Sequence, residues 1–173
     1  VITPERGLAA VDGIISGWHE PEAGHLLLME AVAGRPLLET SYAAALAELY
    51  KSESSREVKV KILEGMMIAG EKEQLLAAAR NEPDRELRGK AIELLGAVGA
   101  DAELVELYRV TQDRELRGKI IQGLMIAGNG KAMIGLLRQE TDPELKKQIL
   151  QHLSMMDDEE AMNEIERLLT ENQ

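Results

Sequence analysis

Two histidines with a glutamate between them are the first residues in this chain that could do chemistry. They enclose residues 19–25 (HEPEAGH), and two histidines around a glutamate on one helix hold zinc in many metalloproteases. That site needs histidines four residues apart on one helical face. His19 and His25 are six apart, and Pro21 interrupts a helix between them. We therefore predict no metal site and no cofactor.

Residues 128–131 (GNGK) are similar to part of a phosphate-binding loop. Such a loop needs Ser or Thr after its lysine, and a strand before it. Ala132 follows Lys131, and the residues before the segment have a helical pattern. We interpret the segment as a turn between helices. The chain also has no cysteine for thiol chemistry, and we predict that it is not an enzyme.

Basic residues recur every 29 residues, and a row of cations could bind phosphates or an acidic peptide. The row consists of Lys59, Arg88, Arg117 and Lys146. A glutamate lies two residues before each of them and would cancel most of the positive field. We therefore favour a structural ladder, in which each base bonds the aspartate that caps its own or the adjacent helix. The predicted ladder comprises Asp84, Arg88, Asp113, Arg117, Asp142 and Lys146.

The same interval organises the whole middle of the chain. Similar segments begin at residues 56 (REVKVK), 85 (RELRGK), 114 (RELRGK) and 143 (PELKKQ). A fixed period of this kind is the mark of stacked repeats, in which each unit buries its apolar face only against its neighbours. We predict an all-α fold, a right-handed α-solenoid of about five helical-hairpin repeats.

One repeat shows the expected hairpin. Residues 101–110 place Leu104, Leu107 and Tyr108 on one helical face, and a second helix is predicted over 114–127. An aspartate precedes the second helix at the N-cap position, and residues 128–130 (GNG) end it. The equivalent caps are Ser55, Asp84, Asp113 and Asp142, and the equivalent stops are Gly70 and Gly99.

The period divides the chain into three segments. Residues 1–45 are predicted to be a divergent N-terminal repeat or cap, because residues 20–28 resemble 142–150. Residues 158–173 are predicted to be an acidic capping helix. Four regular repeats lie between them, at 46–74, 75–103, 104–132 and 133–157. Alternate repeats are more alike than neighbours, since residues 65–70 (GMMIAG) return two repeats later as GLMIAG.

Charge restricts the class of partner. The net charge is −11, yet residues 51–156 hold equal numbers of acids and bases, so the excess lies at the ends. A neutral middle argues against a nucleic-acid partner, which needs uncompensated cations. No apolar run is long enough to span a membrane. We expect a monomer or weak oligomer in the cytoplasm, although Val1 in place of Met leaves a removed leader open.

Residues 84–88 (DRELR), followed by Ala91-Ile92 and Leu95-Gly96, resemble the HEAT-repeat pattern. Residues 142–146 (DPELK) are similar to its Asp-Pro form. The 29-residue period is shorter than the roughly 40–47 residues of long HEAT units and looks more like the short HEAT-like repeats of bacterial proteins, some of them bilin lyases. The resemblance implies an α-solenoid whose second helices line a concave face, and a scaffold or adaptor role.

The resulting hypothesis is a non-catalytic scaffold that binds a protein or peptide segment along the second helices. Lysines there pair with a residue three positions on, and two methionines lie at the rim as an adaptable apolar patch. The predicted partner-binding residues are Lys61, Glu64, Met67, Lys90, Glu93, Lys119, Gln122, Met125 and Gln151. Two alternatives stay open: a lyase-related or DNA-repair-type enzyme unit, and a structural fragment of a longer array.

Overall fold

The computed structural model describes residues 33–156 and, beyond them, residues 162, 163, 166, 167 and 170. This portion of the chain is helical and contains no strand, which confirms the all-α prediction. Its helices are α1 Arg35–Ser52, α2 Arg56–Ile68, α3 Lys72–Asn81, α4 Arg85–Ala97, α5 Asp101–Val110, α6 Arg114–Ile126, α7 Gly130–Gln139 and α8 Pro143–Met155. None of them has both the length and the apolar composition that crossing a membrane requires.

The chain divides into two compact units, Val1–Lys51 and Ser52–Gln173. In the first unit the described helix is α1. It follows Gly34, whose φ of 78° lies in the region that favours glycine. Pro36 lies in its first turn, where a backbone N–H has no partner within the helix and proline is therefore tolerated. The predicted boundary after residue 45 lies inside α1. Residues 46–50, which match a later first helix in sequence, are the last turns of a longer helix.

The second unit is built from stacked helical hairpins. Each second helix packs on the next one, α2 on α4, α4 on α6 and α6 on α8. Helices α3, α5 and α7 are the first helices, and each packs on the second helix that follows it. This is a solenoid-like arrangement, in which contacts are made with neighbouring repeats. Its right-handed sense stays a prediction.

The core follows the period that the sequence shows. One position of the second helices is buried in all four repeats, and each of its side chains is at most 2% exposed: Met66, Leu95, Leu124 and Leu153. An equivalent position of the first helices is buried in the same way, with no exposed surface at Leu75, Leu104 or Met133. Each hairpin therefore buries its apolar face against the adjacent hairpins, as the repeat predicts.

The second helices begin and end at the residues that the sequence marks. The side chains of Ser55, Asp84, Asp113 and Asp142 each accept a backbone N–H of the first turn, and Gly70, Gly99 and Gly128 close the helices before them with φ of 64–74°. Residues 128–130 do not all belong to a stop, however. Asn129 caps α7 by accepting the N–H of Ala132 at 2.8 Å, and Gly130 is the first residue of α7.

The cap aspartates also join neighbouring repeats, but with partners other than those predicted. Their ion pairs are Arg56–Asp84 at 2.6 Å, Arg85–Asp113 at 2.6 Å and Arg114–Asp142 at 2.8 Å. The predicted ladder is therefore wrong in its basic residues, Arg88, Arg117 and Lys146. The first residue of a second helix lies beside the cap of the next helix, whereas Arg117, one turn further on, bonds Glu140 at the end of α7.

Candidate functional site

A groove of about 490 Å³ lies between α6 and α8, within the second unit. It is an open groove on the surface and not an enclosed cavity. It is lined by Arg114, Glu115, Gly118, Lys119, Gln122, Glu144, Leu145, Lys147, Gln148 and Gln151. Eight of these ten residues have polar or charged side chains.

The floor of the groove depends on a glycine inside a helix. The side-chain amide of Gln148 on α8 donates to the carbonyl oxygen of Gly118 on α6 at 3.0 Å. A Cβ on Gly118 would lie 2.9 Å from the Gln148 Oε1, so a larger residue would push the glutamine away. Gly89 has the equivalent role in the preceding repeat, because its missing Cβ leaves room for Lys119 to lie across α4.

Some charges on the groove wall are compensated and others are not. Arg114 is paired with Asp142 at 2.8 Å, and Glu115 with Arg85 at 2.8 Å. Lys119, Lys147 and Glu144 make no ion pair with any residue that the structure describes. The end of the Lys119 side chain lies against Gly89 on α4. A ligand in the groove therefore meets the ammonium group of Lys147 and the carboxylate of Glu144. Beside them stand the exposed amides of Gln122 and Gln151.

The structure brings together three of the nine residues predicted to bind a partner: Lys119, Gln122 and Gln151 line the groove. Lys61 and Glu64 form their predicted ion pair at 2.8 Å on α2, and the hydrogen bond that Lys61 donates to Glu64 raises the pKa of Lys61. The equivalent pair on α4, Lys90 with Glu93, is 3.0 Å long. These two pairs lie outside the groove lining.

Met67 and Met125 are half-buried near the ends of α2 and α6, outside the groove. They occupy the position that Gly96 occupies on α4, since Met67 lies one repeat before this glycine and Met125 one repeat after it. Gly96 faces the backbone of α6 at a helix crossing. The sequence reasoning missed Gly118, Lys147 and Gln148, although a glycine repeated inside two helices was a signal of close approach.

Among the described residues, no three His, Asp or Glu side chains lie close enough together to hold a metal ion. His19 and His25 lie outside the described residues. The predictions of no metal site and no cofactor therefore stay predictions.

A comparison with protein families finds a match near the start of the chain. A family model described as a queuosine biosynthesis protein matches residues 1–54. The chain is similar to queuosine biosynthesis proteins over that segment. The match covers less than a third of the 173 residues, and α1 is the described helix within it. No curated protein matches the chain.

This match corrects two predictions. The assignment to the HEAT-repeat family is wrong, and so is the protein-binding scaffold that followed from it, because the matching family is one of queuosine biosynthesis. The HEAT resemblance rested on a capping aspartate, a basic residue and alternating apolar residues. Any stack of helical hairpins needs caps and an apolar face, so these features indicate an architecture and do not identify a function.

Proposed function

We propose that this protein takes part in queuosine biosynthesis. The observation that carries the proposal is the family match over residues 1–54. The groove between α6 and α8 supports it, since queuosine is a nucleoside with several hydrogen-bond donors and acceptors on its base and ribose. Amide and ammonium groups such as those of Gln122 and Lys147 bind such atoms.

In this proposal the groove binds one nucleoside or nucleotide. Its volume suits a single small molecule, whereas a long polynucleotide would need more cations than the neutral stretch 51–156 supplies. Gln122 and Gln151 would bind the base or ribose, and Lys147 a phosphate. We propose that this portion of the chain binds rather than catalyses, in keeping with the prediction that the chain is not an enzyme.

Disrupting the gene for this chain is expected to remove queuosine from the transfer RNA of the cell. Nucleosides from digested tRNA would be separated and quantified by mass spectrometry. A plasmid carrying the gene should restore queuosine, and the empty plasmid should not. Accumulation of a precursor nucleoside would show the step at which the protein acts. A normal queuosine content in the disrupted strain would refute the proposal.

Removing two amides from the groove is expected to weaken nucleoside binding. Each lost hydrogen bond is worth about 0.5–1.5 kcal/mol, so Gln122→Ala with Gln151→Ala should raise the Kd of queuosine roughly tenfold or more. Isothermal titration with the nucleoside and with guanosine monophosphate measures this. Gln139→Ala is the matched control, since Gln139 is an exposed residue of α7 outside the groove lining. Equal affinities in the two variants would exclude the groove as the binding site.

A further inference from the structure

A buried carboxylate lies between repeat 104–132 and repeat 133–157. Glu140, the C-cap of α7, has a side chain that is 1% exposed, and its Oε2 lies 2.7 Å from the Nη2 of Arg117. Its Oε1 accepts the N–H groups of Thr141 and Asp142, each at 2.8 Å. One guanidinium and two backbone N–H groups thus hold an anionic group in the interior. The Tyr108 hydroxyl donates to the same carboxylate.

The equivalent carboxylate two repeats earlier is held in the same way. The side chain of Glu82 is 5% exposed and lies 3.0 Å from the Nζ of Lys59, and it accepts the N–H of Asp84 at 3.3 Å. Lys59 and Glu82 stand at the repeat positions of Arg117 and Glu140. At both of these junctions between repeats, therefore, a basic side chain pairs with a buried carboxylate.

The junction between them has the base but lacks the carboxylate. Arg88 lies one repeat after Lys59 and one repeat before Arg117, but Thr111 takes the place of the glutamate. The Thr111 hydroxyl donates to the carbonyl oxygen of Leu107 at 2.7 Å, away from the arginine. The Nε atoms of Arg88 and Arg117 are both buried without a hydrogen-bond partner, so this atom does not distinguish the two junctions. The difference is that Arg117 pairs with Glu140 through its Nη2, whereas Arg88 makes no ion pair with any described residue.

The backbone of the middle junction is nevertheless shaped as in the other two. Thr111 has φ −79° and ψ 122°, and Glu140 has φ −71° and ψ 138°. The N–H groups of Gln112 and Asp113 therefore take the places of the two N–H groups that bind Glu140. No described residue accepts a hydrogen bond from either of them. Ala79 stands where the ring of Tyr108 stands one repeat later, which removes the group that covers the carboxylate there.

We propose that the middle junction binds a small oxyanion, the carboxylate or phosphate group of a ligand. The anion lies between the guanidinium of Arg88 and the N–H groups of Gln112 and Asp113. A partly buried charge is unfavourable unless it is paired. At the two neighbouring junctions the pairing group is the carboxylate of a glutamate. This inference is independent of the proposed function and of the groove between α6 and α8.

Titration with sodium acetate and with sodium phosphate tests the site. We expect the amide resonances of Gln112 and Asp113 to shift saturably with at least one of the two anions, and the anion that binds more tightly identifies the ligand class. Arg88→Gln should weaken this binding at least tenfold, whereas Arg80→Gln, at an exposed arginine on α3, should leave it unchanged. The proposal is overturned if sodium chloride at equal ionic strength gives the same shifts, if neither anion saturates, or if Arg88→Gln binds like the original protein.

A second variant rebuilds the missing carboxylate. Thr111→Glu places a glutamate at the position of Glu82 and Glu140, so it should pair with Arg88, raise the Tm and abolish acetate and phosphate binding. Thr111→Gln is the control, because it has the same length without the charge and should leave the Tm below that of Thr111→Glu. Undiminished anion binding in Thr111→Glu would contradict the site, since the added carboxylate and the ligand would then occupy different places.

Discussion

Replacing Gly96 by alanine is expected to lower the free energy of unfolding by about 3 kcal/mol. Helices α4 and α6 cross here with almost no space between their backbones. A Cβ on Gly96 would lie 2.6 Å from the carbonyl oxygen of Gly123 and 2.7 Å from its Cα. Backbone atoms cannot turn aside as a flexible side chain can, so the two helices must move apart. That movement disturbs the buried side chains Leu95 and Leu124 on the same helices.

Gly135→Ala is the matched control for this prediction. Gly135 lies inside α7, and a Cβ there would meet no atom within 4 Å. The substitution should stabilise the protein by about 0.5–1 kcal/mol, because alanine loses less backbone entropy in a helix. Urea unfolding followed by circular dichroism measures both variants. An unchanged urea midpoint for Gly96→Ala would contradict the close approach of the α4 and α6 backbones at this residue.

The helices themselves could be predicted from the sequence because their ends are locally encoded. The capping Asp113 and the following Gly128 set the bounds of α6, which was predicted over 114–127 and lies at Arg114–Ile126. Helix α5 was predicted over 101–110 from its apolar spacing and lies at Asp101–Val110. The buried positions follow from the same repeat. Both signals lie within one hairpin, so no knowledge of the stacking is needed to read them.

The pairs between hairpins could not be predicted in this way. Which base meets Asp113 depends on how far α4 is offset along α6, and the structure pairs it with Arg85 rather than with the predicted Arg88 or Arg117. The groove depends on the same offset, since it needs Gln148 to reach the carbonyl oxygen of Gly118. The sequence contains both residues but does not show that they are in contact.

The two-repeat period in the sequence has a structural counterpart at the middle junction. Tyr50 and Tyr108 are two repeats apart, and so are Glu82 and Glu140, whereas the positions midway between the members of these pairs hold Ala79 and Thr111. The close crossing at Gly96 belongs to that middle junction as well, since methionines occupy the equivalent positions of the neighbouring repeats. The middle junction thus has tighter helix packing, and its Arg88 makes no ion pair with any described residue.

The function could not be inferred from the regular repeats, because the family match lies at residues 1–54 and the regular repeats begin at residue 46. Residues 20–28 resemble 142–150, and this similarity led to the interpretation of residues 1–45 as a divergent repeat. The family match falls on that segment and points to queuosine biosynthesis. A helical pattern with a proline after an acidic residue is a general helix start, so it does not distinguish a repeat from an unrelated helix.

Removing the carboxylate of Glu140 is expected to lower the free energy of unfolding by about 3 kcal/mol, because a buried ion pair that loses one partner leaves the other uncompensated. Glu140→Ala leaves the guanidinium of Arg117, the hydroxyl of Tyr108 and two backbone N–H groups without their acceptor. The control is Glu106→Ala, whose carboxylate is 68% exposed and lies 3.6 Å from Arg80. Exposed pairs contribute about 0–1 kcal/mol, so equal losses in both variants would contradict a buried role for Glu140.

The same carboxylate should make stability depend on pH in a predictable direction. Burial alone would raise the pKa of Glu140, but the Tyr108 hydroxyl, the backbone N–H groups and Arg117 outweigh it, and the pKa lies below the usual 4.5. A lowered pKa means that the folded protein binds the proton less readily than the unfolded chain does. The stabilisation is therefore complete above about pH 4.5 and is lost as the pH falls through the folded-state pKa.

Glu140→Gln isolates this contribution from that of the cap aspartates, whose pKa values are also lowered. The amide keeps the length of the side chain and cannot ionise. The difference in free energy of unfolding between the original protein and Glu140→Gln should be largest near neutral pH and should shrink as the pH falls below 4.5. A difference that stays constant from pH 7 to pH 3 would mean that Glu140 keeps the same protonation state in the folded and unfolded chains, and that the charge on Arg117 is balanced by another group.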